Sequence, residues 1–114
     1  LRSFIDNCLP ETDSVVLRRW ALQMMMRAGV DDAVDLLRCR EQTGLAHAAT
    51  GHTLPALLVH GDQDRIVPVQ SSRELAAHLP RAELHVLPGL GHVPICTAPA
   101  QVAALVDDFG KRLG

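Results

Sequence analysis

Two short stretches carry groups able to do acid–base chemistry. The run Leu54-Pro-Ala-Leu-Leu-Val-His-Gly-Asp-Gln-Asp-Arg-Ile-Val-Pro68 ends an apolar strand in an acidic turn. The run Leu87-Pro-Gly-Leu-Gly-His-Val-Pro94 ends a second apolar strand in a glycine-flanked histidine. A histidine acting as general base needs a carboxylate to fix its tautomer and stabilise the imidazolium, so Asp64 and His92 together read as two thirds of a hydrolytic triad. Gly89 and Gly91 let the loop turn sharply and bring the imidazole forward. The other candidates carry less. Asp62 reads as a turn residue, and His60, closing a buried strand, as a packing or supporting group. His47 and His52 lie five apart across a glycine, which is not a metal-ligand spacing, and His78 and His85 read as exposed. Cys96 sits too close to His92 along a loop to be oriented as its nucleophile. No metal or organic cofactor is implied.

The elements that must present these groups follow from apolar patterning. Ala56 to Val59 is a continuous apolar run, the pattern of a strand buried on both faces. Val69 to Leu79 predicts a helix, with Pro68 near its start and Pro80 at its end. Glu83 to Leu87 predicts a second strand, and Pro99 opens a final helix through Val102, Leu105, Val106 and Phe109. Strand, helix, strand, helix makes a right-handed parallel crossover, and ligands gather beyond the carboxyl ends of such strands. Residues 1 to about 50 read as helical throughout. One helix is built around Val15, Val16, Arg19, Trp20, Gln23 and Met24, capped by Asp13 or Ser14 and stopped at Gly29. A second runs from about Asp31 to Cys39. The expected organisation is therefore a helical segment over 1–50 and an α/β segment over 51–114. Two parallel strands need more strands alongside and cover on both faces. The chain is thus expected to require an N-terminal half or another chain, with a homodimer as one way to supply it.

The paired motifs are specific. Gly61-Asp-Gln-Asp64 followed by Val67-Pro68, then Pro88-Gly-Leu-Gly-His92, resembles the C-terminal part of the alpha/beta-hydrolase superfamily. There a G-x-x-D…V-P strand end bears the triad acid and a P-G-x-G-H strand end bears the histidine. The resemblance covers about residues 54 to 112. It implies an α/β fold: the C-terminal portion of an alpha/beta-hydrolase fold, parallel strands with crossover helices, preceded by a helical cap segment. It also implies Asp64 as acid, His92 as base, and Val67 just after the acid facing the substrate. The first half resembles the caps of esterase-like and cofactor-free haloperoxidase-like members, which makes Trp20 and Met24 candidates for the substrate pocket. The family's nucleophile sits in G-x-S-x-G upstream of the acid. The serines here, Ser3, Ser14, Ser71 and Ser72, have no such setting. Other departures are Thr43-Gly44, where the link back to the core often has an acid after its Thr, and Thr97, where Glu is usual before the last helix; Thr97 remains a candidate cap.

The resemblance implies part of a serine hydrolase of carboxylic esters or related acyl bonds, with a small acyl or ester substrate and a nucleophile from elsewhere. Two alternatives stand beside it. One is an Asp-nucleophile hydrolase of the epoxide hydrolase or haloalkane dehalogenase type. The other is a non-catalytic truncated domain that binds a ligand or partner.

Bulk properties limit the remaining classes. The chain has 114 residues, 47% of them hydrophobic, with a formal net charge of −2. No basic run is interleaved with aromatics, so neither nucleic acid nor an anionic membrane is an expected partner. No apolar run is long enough to span a bilayer, and no signal peptide is visible. The three cysteines are widely spaced and form no C-x-x-C pair, the usage expected of reduced thiols in a cytoplasmic protein.

Overall fold

A computed structural model describes residues 1–40 and 51–114. Thr43, Gly44 and His47 lie outside the described residues. Three helices come first: α1 (Arg2–Cys8), α2 (Val15–Met25) and α3 (Val30–Arg40). The α/β unit follows as β1 (Ala56–Gly61), α4 (Val69–His78), β2 (Ala82–Leu87), a single turn α5 (Pro94–Thr97) and α6 (Pro99–Arg112).

β1 and β2 pair in parallel, in register from Ala56 opposite Ala82 to Gly61 opposite Leu87. That register is the feature that builds the site, because both strands end at the same level and their loops leave from one edge. The ladder runs on into the loops: Asp62 N–H donates to Leu87 O at 3.0 Å and Gln63 N–H to Leu90 O at 2.9 Å. α4 packs on both strands, α5 and α6 pack on β1, and α1 packs on α2.

Local sequence explains most boundaries. Pro68 precedes α4 with φ −59° and ψ 139°, a preset entry, and Leu79 is already extended, as a residue before Pro80 must be. Pro99 stands in the first turn of α6, where its missing N–H costs nothing, and Lys111 and Arg112 face the negative end of the helix dipole.

Four local expectations are corrected. Gly29 does not stop α2, which ends at Met25 and unwinds through turns at Arg27 and Ala28; instead Gly29 O accepts the first hydrogen bond of α3, from Ala33 N–H. Ser14 stands at the N-cap of α2 without capping it, because its Oγ donates back to Glu11 O and Leu9 O. Thr97 does not cap α6; its Oγ1 lies 3.5 Å from Val93 O and the N-cap is Ala98. His85 is half-buried and paired with Glu83, whose carboxylate it and Arg112 together share. Those hydrogen bonds, His85 first, hold the Glu83 carboxyl below its ordinary range.

Burial is thin. Ile5, Leu9 and Leu87 are the buried apolar side chains among the described residues, and β1 is half-buried until its last two residues. The radius of gyration is 15.8 Å, against about 13 Å for a compact domain of this length. An apolar run that expects cover on both faces therefore meets too few neighbours among the described residues.

Candidate functional site

Asp64 sits in the turn after β1 and is held from two sides. Its Oδ1 accepts the N–H groups of Ile66 at 2.8 Å and Val67 at 2.9 Å, the local turn that aspartate favours. Its Oδ2 accepts from His92 Nδ1 at 2.9 Å, and His60 Nε2, which bonds Val67 O, lies 3.2 Å from the same oxygen. The Asp64 side chain is 4% exposed and that of His92 32%. Burial pushes the Asp64 carboxyl up, but the hydrogen bonds from Val67, His92 and Ile66, with the His92 charge, outweigh it and hold the carboxyl below its ordinary value. An ionised Asp64 can only accept, so His92 carries its hydrogen on Nδ1 and keeps the Nε2 lone pair available as a base.

The loop bearing His92 is clamped by backbone. Gly89 has φ +76°, the left-handed region that glycine tolerates, and its N–H donates to Asp62 Oδ1 at 2.7 Å. Asp62 therefore ties the two loops together. Gly91 has no positive φ; it is needed for close approach. A Cβ there would lie 2.8 Å from Pro10 Cγ and 2.9 Å from Cys8 O, with Pro10 Cδ nearer still. On the other side, a Cβ on Gly61 would come within 2.5 Å of the Leu90 carbonyl carbon. The histidine loop is pressed between the end of β1 and the α1–α2 link.

Sequence reasoning missed the link's part in this. Gly91 N–H donates to Glu11 Oε1 at 2.6 Å and His92 N–H to Cys8 O at 2.9 Å. Ser14 Oγ and Arg18 fix the Glu11 carbonyl, while Glu11 Oε2 is buried without a hydrogen-bond partner among the described residues. No local pattern announces Glu11, because its partner is 80 residues away. The Cys8 thiol is pushed up by burial and then by the nearby Asp64 charge.

A cavity of about 260 Å³ opens beside the pair, lined by Val59, His60, Gly61, Asp64, Val67, Ser72, His92 and Pro94. Val67 thus stands at the acid and base. Trp20, 55% exposed, does not line that cavity. It borders a separate apolar hollow of about 180 Å³ with Ile5, Cys8, Leu9, Leu17, Ala21, Met25, Val93 and Cys96. Val93 joins this hollow to His92. Met24 borders neither cavity and is 45% exposed; its neighbour Met25 is the methionine that faces the hollow. Ser72 Oγ is engaged by His60 Nδ1, and Ser14 Oγ by backbone carbonyls. Among the described residues no serine hydroxyl bonds His92, no three His, Cys, Asp or Glu side chains gather as a metal site, and no helix is long and apolar enough to cross a membrane.

Residues 5–99 match the sequence pattern of the alpha/beta hydrolase fold family. The chain is 43% identical over 75 residues to a 2-hydroxymuconate semialdehyde hydrolase of Pseudomonas sp. (strain CF600), covering 63% of this chain and 26% of that protein. It is 40% identical over 53 residues to a pimeloyl-acyl-carrier-protein methyl ester esterase of Nitrosomonas europaea, covering 46% and 21%. Over 48 residues it is 48% identical to a non-heme haloperoxidase of Rhodococcus erythropolis, covering 41% and 17%. The chain therefore spans between 17% and 26% of the length of these three relatives.

Proposed function

Since the chain belongs to the alpha/beta hydrolase fold family, we propose that it supplies the acid and base of a serine hydrolase acting on esters or related acyl bonds. The observation that carries this reading is the 2.9 Å contact from His92 Nδ1 to a buried Asp64 Oδ2, with His92 Nε2 left unbonded among the described residues. In the proposed reaction a serine hydroxyl, supplied outside residues 1–114, gives its proton to His92 Nε2 as its oxygen attacks the substrate carbonyl carbon. The imidazolium is stabilised by Asp64 and returns that proton to the departing alcohol oxygen. A water, deprotonated by the same Nε2, then attacks the acyl carbon, releasing the acid and restoring the serine. The helices α1 to α3 act as the cap, and Val67 and Trp20 are proposed to meet the substrate, whereas Met24 borders neither cavity. Trp20 does so from the apolar hollow at Val93, which suits an uncharged acyl or aryl group. The relatives' names, an esterase and a semialdehyde hydrolase, support hydrolysis of carbonyl compounds.

The test is hydrolysis of p-nitrophenyl esters by the protein expressed with the residues encoded upstream of Leu1. His92→Ala should lower kcat by about 10⁵–10⁶ and Asp64→Asn by about 10⁴. A His92→Ala variant with unimpaired turnover ends the proposal. An aspartate at the upstream nucleophile position redirects it to the epoxide- or haloalkane-hydrolysing type, with the same base.

A further inference from the structure

Glu11 stands in the α1–α2 link, and the reaction above gives it no task. Its backbone is fixed first. The Glu11 carbonyl accepts from Ser14 Oγ at 2.6 Å, Arg18 Nη2 at 2.8 Å and Ser14 N–H at 3.2 Å. Ser14 is 2% exposed, and Ile5 and Leu9, each 3% exposed, anchor the link from the α1 side. From this support the side chain reaches a loop 80 residues away, where Oε1 accepts Gly91 N–H at 2.6 Å. The next residue is the base, and its own N–H is taken by Cys8 O at 2.9 Å. One link thus holds two successive N–H groups at the base, one through main chain and one through a side chain. Glu11 Oε2 is buried with no hydrogen-bond partner among the described residues. A buried carboxylate oxygen left unpaired costs free energy. An apolar side chain would avoid that cost, but it could not accept the Gly91 N–H.

We propose that Glu11 is a positioning residue for the base: its side chain sets where the Gly91–His92 backbone stands, and so where His92 Nε2 faces the substrate. This rests on His92 being the base. Among the described residues the His92 ring is held by a single hydrogen bond, at Nδ1, so its place follows its backbone as well as Asp64. A misplacement of about 1 Å at a reacting group lowers turnover by about 100-fold. Glu11 lines neither the cavity at the pair nor the apolar hollow, so its effect falls on turnover and not on substrate affinity. The role needs an acceptor oxygen at the right reach; it does not need a charge.

The experiment is steady-state kinetics on p-nitrophenyl esters, using the protein expressed with the residues encoded upstream of Leu1, read beside nitrogen-15 glycine spectra of the same proteins. Glu11→Ala should lower kcat by about 10- to 100-fold and leave KM within about twofold. Glu11→Gln keeps the reach and an acceptor oxygen, and should restore most of kcat. Glu11→Asp keeps the charge but is one methylene short, and should behave like the alanine variant. A fully active aspartate variant beside an impaired glutamine variant would place the effect in the charge and overturn the proposal. Wild-type kcat in Glu11→Ala overturns it too. In the spectra the Gly91 amide proton should move upfield in the alanine and aspartate variants and hold its place in the glutamine variant, while unmoved Gly61 and Gly89 signals show the fold intact. An unmoved Gly91 signal in Glu11→Ala refutes the bond itself. If Glu11→Ala does not fold, the glutamine and aspartate variants still decide. A wild type that turns over no ester ends the hydrolase reading, whereas the Gly91 signal judges the Glu11 bond without any turnover.

Discussion

Gly91→Ala is the sharpest probe of how the histidine loop is held. The new Cβ would sit 2.8 Å from Pro10 Cγ and 2.9 Å from Cys8 O, where about 3.5–4.0 Å is the comfortable carbon–carbon separation. The Pro10 ring is tied to the backbone and cannot swing aside, so the link must retreat by about an ångström. That retreat breaks two hydrogen bonds, Gly91 N–H to Glu11 Oε1 at 2.6 Å and His92 N–H to Cys8 O at 2.9 Å. The first is charge-assisted and contributes about 1.5–3 kcal/mol; the second is neutral and contributes about 1 kcal/mol. Keeping both bonds and accepting the overpacking instead costs about 1–3 kcal/mol. The cheaper route sets the loss, so about 1–3 kcal/mol is expected in urea unfolding. Gly89→Ala provides the contrast. Its Cβ meets open space and carries only the left-handed penalty of about 1–2 kcal/mol. Pro10→Gly on the Gly91→Ala background should recover part of the loss, giving a favourable coupling in a double-mutant cycle. A Gly91→Ala protein within about 0.5 kcal/mol of wild type, the scatter of an ordinary surface change, would refute the clamp.

Two further outcomes follow from the ionisation of the site. The Asp64 carboxyl is held below its ordinary value in the folded chain, so its stabilisation is complete above the unfolded value of about 3.9 and is lost as pH falls through the lower folded value. The stability gap between wild type and Asp64→Asn should accordingly narrow as urea unfolding is repeated from pH 6 downward; a constant gap would contradict an ionised, hydrogen-bonded Asp64. Cys8 is half-buried and its thiol pushed up by burial and the Asp64 charge, whereas Cys96 is exposed. At pH 8 iodoacetamide should therefore label Cys96 well before Cys8, as read by peptide mass mapping, and Asp64→Asn should speed Cys8 labelling; equal rates in the wild type would refute the placement.

The elements nearest the site were readable because their signals are local. Ala56 to Val59 is too short and too apolar for a surface helix, Pro68 and Pro80 bracket α4, and Pro99 marks the start of α6. That Asp64 and His92 meet follows from the same locality. Parallel strands paired from Ala56–Ala82 to Gly61–Leu87 bring their next residues to one edge whatever the rest of the chain does. Side-chain partnerships chosen by tertiary packing were not readable. Ser14 has a capping residue's identity but spends its hydroxyl on Leu9 O and Glu11 O, because the link must bend back toward Gly91 there. Gly29 looks like a helix stop, yet the turns after α2 form without it. The flexibility suggested by Gly91 proved to be the wrong reason for that glycine. What the position requires is the absence of a side chain, so that Pro10 and Cys8 O can reach the backbone. The physical consequence is that the base is not held by its own strand alone. Its N–H bonds to α1, its neighbour's N–H bonds to Glu11, and its ring bonds to the turn after β1. A shift of the helical segment thus reaches the imidazole through one backbone hydrogen bond, His92 N–H to Cys8 O, and through the Glu11 side chain that accepts from Gly91 N–H.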